Sequence, residues 1–497
     1  MANSAESIVS RAPDHVDVAV IGAGPAGTAA AVVAAESGAR VALIDAGWRP
    51  GGQYYRRPAD PALTTPAHHP WPAFDALEVR LAAATSRTAG DPRGSVTIHP
   101  GTTVWSASGT GPFTLRTRGD ERHPDRTGTI TARAVIVATG AVDRQLPFDG
   151  WDLPGVMSGG AAQSLVKASG VLPGRRVVVA GTGPFLLAVA ATILEAGGTV
   201  AAVVEAGSPE RLLSRIPALL PQVGHVAELA RFTALLARHR VPYLRGHRVL
   251  QAHGDDHLES VLIGRVDAQW RRTPHPPRAL ACDALAIGFG FTAQLDLLQQ
   301  LGADLVQRAD GGVAAVIDSG QRTTIPGVLA CGETTGIGGA ELALREGLVA
   351  GASAARAVGC EPVLRDPQLA RTIAWVRRNR AAQDALQSAF GVQEGWQEDL
   401  AADTVVCRCE EVTAGQVRSA IGDLGATDAR TVKLLTRAGM GWCQGRMCST
   451  AVEGICASAG GGPSDPRGGI RPIVVPVPLG ALARGHRPAG EDGTATD

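Results

Sequence analysis

The sequence has almost no lysine. Lys167 and Lys433 are the only two among 47 basic residues, and the rest are arginine, which we read as a coding bias and not as function. Charge imbalance is missing too. The 47 acidic residues cancel the basic ones, so nothing favours nucleic acid or an anionic membrane as a partner. Long unbroken apolar runs are absent. The longest candidates, such as VVVAGTGPFLLAVAATIL, are interrupted by Gly and Pro, and no membrane span is expected. The opening stretch MANSAESIVSRAPDH lacks a basic start followed by an apolar core, so no secretory signal is visible and a cytoplasmic location is expected. Cys-x-x-Cys occurs nowhere, which argues against thiol–disulfide chemistry. No His/Asp/Ser constellation suggests hydrolysis, and His68-His69 in a Pro-rich stretch reads as surface loop.

What is present begins at the N-terminus. VDVAVIGAGPAGTAAAVVAAESGARVALIDAG reads as strand, glycine turn, helix and second strand. Val16 to Ile21 is a continuous apolar run, as expected for a strand buried on both faces. The helix is expected to start near Pro25 and stop at Gly38. Gly22, Gly24 and Gly27 complete G-x-G-x-x-G. They allow a tight turn, close approach of a pyrophosphate, and close helix–strand packing. The helix N-terminus then offers free N–H groups to phosphate. Asp45, at the end of the second strand, stands where a carboxylate can accept ribose hydroxyls. The spacing alone does not choose between FAD and NAD.

The plan recurs in RRVVVAGTGPFLLAVAATILEAGGTVAAVVEAG, with Gly181, Gly183 and an acid at Glu205. The third glycine position is Leu186, which should hold helix and strand further apart. Two readings stay open: a site for NAD or another adenine nucleotide, or a structural relic. An NADP site would more naturally offer arginine there.

The eight cysteines are Cys282, Cys331, Cys360, Cys407, Cys409, Cys443, Cys448 and Cys456. The first three lie singly among small residues and read as buried structural thiols. Cys407-x-Cys409 is followed further along by Cys443-x4-Cys448. Zinc ribbons usually space their paired cysteines two to four apart. A one-residue gap suits two ligands to one iron better, and four thiolates suffice for a [2Fe–2S] cluster. Thr413 and Gln416 form a capping-box pattern after the first pair. Gly439, Gly441 and Gly445 around the second pair allow N–H groups to point at sulfur. Cys456 reads as packing.

These motifs define an expected α/β fold: two doubly wound nucleotide-binding domains plus a small helical C-terminal [2Fe–2S] domain. We place the first domain at 15–150 and 283–358, the second as an insertion at 151–282, and a helical connector at 359–402. The connector helix should be capped by Asp366. The cluster domain follows at 403–460 and an extended or disordered tail at 461–497.

The GGQYYR stretch and the late ACGETTGIGGA resemble the two-dinucleotide flavoprotein reductases. That resemblance implies FAD in the first site, with Gly52, Gln53 and Gly140 against it. The late pair Gly332-Glu333 would reach the ribityl or pyrophosphate part. Many relatives have Asp where Glu333 stands, and Glu333 has the alternative of capping the following helix. Residues 403–460 resemble the bacterioferritin-associated-ferredoxin-like domain, which implies Cys407, Cys409, Cys443 and Cys448 as cluster ligands. Together with LPFDGWDLPGVMSGGAAQSLVK and TTGIGGAELALREG, the whole chain resembles the alpha-type subunits of opine oxidase, hydrogen cyanide synthase and amino-acid or hydroxyproline dehydrogenase complexes. The resemblance implies an electron-relaying oxidoreductase subunit. Its partner would be a smaller amine-oxidising flavoprotein that acts on a small amine or amino acid. The residues alone leave two alternatives, a self-contained NAD(P)H reductase and a non-catalytic assembly protein, and no catalytic residue is assigned.

Overall fold

A computed structural model describes residues 15–58, 63, 71–88, 91–120, 123, 127–207, 223–461, 471 and 473–484. His68-His69, residues 1–14 and most of the linker after residue 461 lie outside these.

The first glycine unit folds as the pattern requires. Strand His15–Ile21 leads to helix Pro25–Glu36 and strand Arg40–Ile44. The helix begins at proline, whose missing N–H costs nothing at that position. It ends before Gly38, which takes a left-handed φ of 103°. The strand is flanked in parallel by Arg40–Ile44 and by Thr127–Val137. Being buried on both sides explains its unbroken apolar run. Thr127–Val137 is long because it joins the parallel and the antiparallel parts of one seven-stranded sheet. Its C-terminal half pairs in parallel with His15–Ile21 and Val328–Ala330. Its N-terminal half continues into an antiparallel meander with Phe113–Gly119 and Thr102–Ser108.

The second sheet is wholly parallel: Tyr243–Arg245, Val200–Glu205, Val177–Gly181, Ala284–Gly288 and Val156–Ser158. Strand Ala284–Gly288 hydrogen-bonds between two strands of this sheet. The expected return to the first domain at 283 is therefore too early. An apolar run of strand residues does not say which sheet will accept it, and only the pairing does. Leu295, Leu298 and Leu301 already pack in the first domain's core, and its sheet is rejoined by Val328–Ala330, followed by helix Ala340–Ala357, which packs on helix Pro25–Glu36.

The connector helix runs Asp366–Ala389. Asp366 is its first residue and Arg365 its cap, one position earlier than expected, and the cap carries no side-chain bond. The last quarter forms helices Ala414–Gly422, Ala429–Thr436 and Ser449–Ser458. The Thr413–Gln416 capping box is present with both reciprocal bonds. This unit is not a separate bead on the chain. Its buried Val406, Val412, Val417 and Ile455 share one apolar core with Val178, Val204, Val249 and Leu285 of the second domain. Trp151 pins the joint: its indole N–H donates to the Val405 carbonyl at 2.6 Å, and Arg408 lies 4.1 Å over its ring. The tail is not simply extended. Val474 joins the meander, its N–H bonding the Trp105 carbonyl at 3.0 Å, and Leu479–Arg484 is a short helix.

Candidate functional site

The two domains face each other across one cleft of about 1820 Å³. That exceeds the ~300–1,000 Å³ usual for a small-ligand pocket. Of the expected cofactor residues in the first domain, Gly22, Gly24, Asp45, Gly52, Gln53, Gly140, Gly332 and Glu333 line it. Gly27 stands behind the turn. A Cβ there would lie 1.7 Å from the Gly22 carbonyl oxygen, so only glycine lets helix and turn approach this closely. In front, a Cβ on Gly24 would meet nothing within 4 Å. The cradle is open toward the cleft. The helix behind it has no side-chain cap and no acid in its first turn, which leaves N–H groups for an anion.

Asp45 both shapes and lines this cradle. One of its oxygens accepts the Ala23 N–H and the other the Gly47 N–H at 2.6 Å. Burial pushes its carboxyl above the ordinary value, and these two N–H bonds pull the other way. Each oxygen keeps a lone pair for a ribose hydroxyl. Glu333 also lines the cleft, but its oxygens accept the Gly338 and Gly339 N–H groups, both at 3.0 Å. It thus holds the turn ahead of helix Ala340–Ala357, as its capping alternative requires.

Sequence reasoning missed the brace behind this loop. Glu346, 1% exposed, accepts the Gly332 N–H at 2.9 Å and the Thr335 hydroxyl at 2.8 Å. Its other oxygen takes Arg380 Nη2 at 2.7 Å. Arg380 comes from the connector helix and also donates to the Gly336 carbonyl at 2.6 Å. Gln294 was missed as well. Its side-chain amide donates to the Thr139 carbonyl, its own carbonyl accepts the Thr139 hydroxyl, and its backbone N–H donates to the Gly140 carbonyl. Neither residue belongs to a spacing motif.

The second glycine turn repeats the first. Glu205 accepts the Gly183 N–H at 2.9 Å and the Gly207 N–H at 2.7 Å, much as Asp45 bonds its own turn. Burial raises the Glu205 pKa. Leu186 is buried and packs toward Gly288. The difference lies in front. A Cβ on Gly183 would stand 3.7 Å from Phe390 of the connector, and one on Gly207 3.2 Å from the same ring. Gly181, Gly183 and Glu205 do not reach the cleft, whereas Phe390 does.

The four late cysteines converge. Cys448 interacts with Cys407, Cys443 and Cys409, and Cys409 with Cys443 and Cys407. No three of them surround a single metal-ion position among the described residues. Four thiols drawn together suit a group with two irons, which takes two thiolates on each. Cys407 and Cys448 are each 1% exposed, Cys443 is half-buried and Cys409 is exposed. Gly439 donates its N–H to Cys407 Sγ at 3.5 Å. Gly441 provides room instead, since a Cβ there would lie 2.2 Å from Cys409 Cβ. The other thiols are quiet. Burial pushes Cys282 up to about 12 and Cys456 up to about 11, and Cys331 is wholly buried. Cys360 departs from the expected burial and is only half-buried.

A glycine-turn cleft joined to a four-thiol unit defines a flavin- and iron–sulfur-type oxidoreductase. Comparison with known proteins agrees. Residues 16–355 match the pyridine nucleotide-disulphide oxidoreductase family, and residues 405–458 match the BFD-like [2Fe-2S] binding domain. The chain belongs to that oxidoreductase family, and its cofactors are FAD and a [2Fe–2S] cluster. It is 33% identical to hydrogen cyanide synthase subunit HcnB of Pseudomonas aeruginosa over 86% of this chain and 90% of that one. It is 32% identical to the opine oxidase A subunit of Agrobacterium tumefaciens over 90% of this chain and 87% of that one. Among solved structures, L-proline dehydrogenase from P. horikoshii shares the fold, with a TM-score of 0.64 at 21% identity over 95% of this chain and 80% of that one. No helix among the described residues is long and apolar enough to cross a membrane.

Proposed function

We propose that this chain is the electron-relaying subunit of a heteromeric, cytoplasmic dehydrogenase or oxidase that oxidises a C–N bond of an amino acid, opine or related amine. FAD would lie along Gly22, Gly24, Asp45, Gly52, Gln53, Gly140, Gly332 and Glu333, and Cys407, Cys409, Cys443 and Cys448 would hold the cluster. Bound there, the two groups would supply two-electron and one-electron chemistry within one chain. The chain's part is position: the first helix N-terminus and Asp45 hold the nucleotide, and Glu346–Arg380 braces the loop over it. The observation that carries the reading is structural continuity. The cysteine unit shares its core with the second domain, and Arg446, between Cys443 and Cys448, itself lines the flavin cleft. Relatives named as subunits of hydrogen cyanide synthase and opine oxidase support a partner. By the same reading, that partner is a smaller amine-oxidising flavoprotein. The test is dye reduction by the purified chain, first by itself and then with a co-expressed small flavoprotein partner. Amine-dependent activity should need the partner. Rapid reduction with NADH and no partner would overturn the proposal in favour of a self-contained reductase.

Phe390 weighs against that rival, because it stands where a nucleotide would approach Gly183. Phe390→Ala is expected to tighten ADP binding by at least about tenfold, read by titration calorimetry. Equal affinity in the parent chain would remove this role from Phe390.

A further inference from the structure

We infer that Arg446 is a positioning residue through which the loading of the iron–sulfur unit and the affinity for flavin are coupled. The inference rests on the cofactor placement proposed above.

Arg446 lies three residues after Cys443 and two before Cys448. Its Nη2 donates at 2.8 Å to Asp296 and at 2.8 Å to the Val474 carbonyl. Arg471 holds the other Asp296 oxygen at 3.4 Å. Arg446, Asp296 and Val474 all line the flavin cleft. Asp296 opens the short helix Asp296–Gln300, two residues after Gln294. Gln294 is the residue that holds Thr139 and Gly140 in the cleft wall, through bonds of 2.9, 2.7 and 2.9 Å. Directional contacts, joined by the backbone from Asp296 to Gln294, therefore run from the cysteine loop to the Thr139–Gly140 segment of the cleft wall.

Iron binding acts at one end of these contacts. Four thiolates tied to one cluster fix both ends of the 443–448 loop, and so the origin of the Arg446 side chain. Guanidinium bonds this short tolerate little displacement of that origin. With the loop fixed, Asp296 and Gln294 hold the flavin wall in its binding shape. With the loop free, that wall relaxes more easily. Linkage then requires the reverse effect to be equal: flavin must favour cluster retention by the same factor.

The experiment measures the FAD dissociation constant of the full chain by flavin fluorescence, in cluster-loaded and cluster-free forms. The cluster-loaded form should bind FAD about tenfold more tightly, within the usual span of coupling between sites. Arg446→Met and Asp296→Asn should each bring that ratio close to one. Arg437→Met, which breaks an exposed pair with Glu410 on the same unit, should leave it unchanged. Asp296→Asn lies outside the cysteine loop and decides the matter if Arg446→Met fails to take up iron. A parent ratio near one overturns the coupling. A lower affinity of Arg446→Met in both forms with the ratio preserved also overturns it, since Arg446 would then act directly on the ligand. A chain that takes up neither FAD nor iron would count against the cofactor placement instead.

Discussion

Methionine at Arg380 should destabilise the flavin domain by about 3–5 kcal/mol, the usual cost of leaving one member of a buried ion pair alone. Glu346 is 1% exposed and Arg380 15%. The carboxylate left behind would keep the Gly332 N–H and the Thr335 hydroxyl but lose both guanidinium contacts on its other oxygen. The Gly336 carbonyl would lose its donor as well. The loop from Gly332 to Gly339, which lines the cleft, would then be held from one side only. The temperature at which flavin fluorescence is released should fall by several degrees, and FAD affinity should fall with it. The cost comes from an uncompensated charge and not from lost contact area. Glu346→Gln combined with Arg380→Met, which removes the charge and keeps an amide oxygen for the Gly332 N–H, should therefore recover much of the loss. A double variant as unstable as the sum of the single ones would refute this account of the brace.

That brace also shows what the sequence could and could not disclose. The glycine turns, the acids at Asp45 and Glu205, the alternating strands and helices and the capping box at Thr413 are local signals. Each is set by backbone sterics or by bonds a few residues long, so each was legible. The C-x-C and C-x4-C pairs were legible because thiolates in that spacing have few other uses. What stayed hidden is the set of single long-range pairs. Arg446 meets Asp296 across 150 residues, Arg408 meets Trp151 across 257, and Gln294 meets Thr139 across 155. An isolated arginine or glutamine carries no period and no spacing. Likewise Ala284–Gly288 reads as a buried strand in either sheet, and only its pairing assigns it. Phe390 closes the second turn from a helix that pattern alone marks as a mere connector.

Serine at any of Cys407, Cys409, Cys443 or Cys448 should abolish the cluster. Iron, labile sulfide and the paramagnetic signal of the reduced protein should all drop to background while flavin stays bound. A serine hydroxyl is a harder and far less acidic ligand than a thiol, so the fourth bond is not replaced. The four variants should nonetheless differ in stability. Cys409 is exposed, and Cys409→Ser should fold as the cluster-free chain does. Cys407 and Cys448 are buried in the core shared with the second domain. A hydroxyl there lacks an assured partner, so Cys407→Ser and Cys448→Ser should lose a further ~1–3 kcal/mol. Cys456, buried on helix Ser449–Ser458 and outside both sulfur pairs, supplies the contrast: Cys456→Ala should keep the full iron content and signal. Retention of the signal in Cys409→Ser, or its loss in Cys456→Ala, would reassign the ligands. The shared core gives the comparison its wider reach. Because Cys407 and Cys448 pack in the core shared with the second domain and the loop between Cys443 and Cys448 reaches the flavin cleft through Arg446, losing iron should register in the melting of the whole chain, not only of its last quarter.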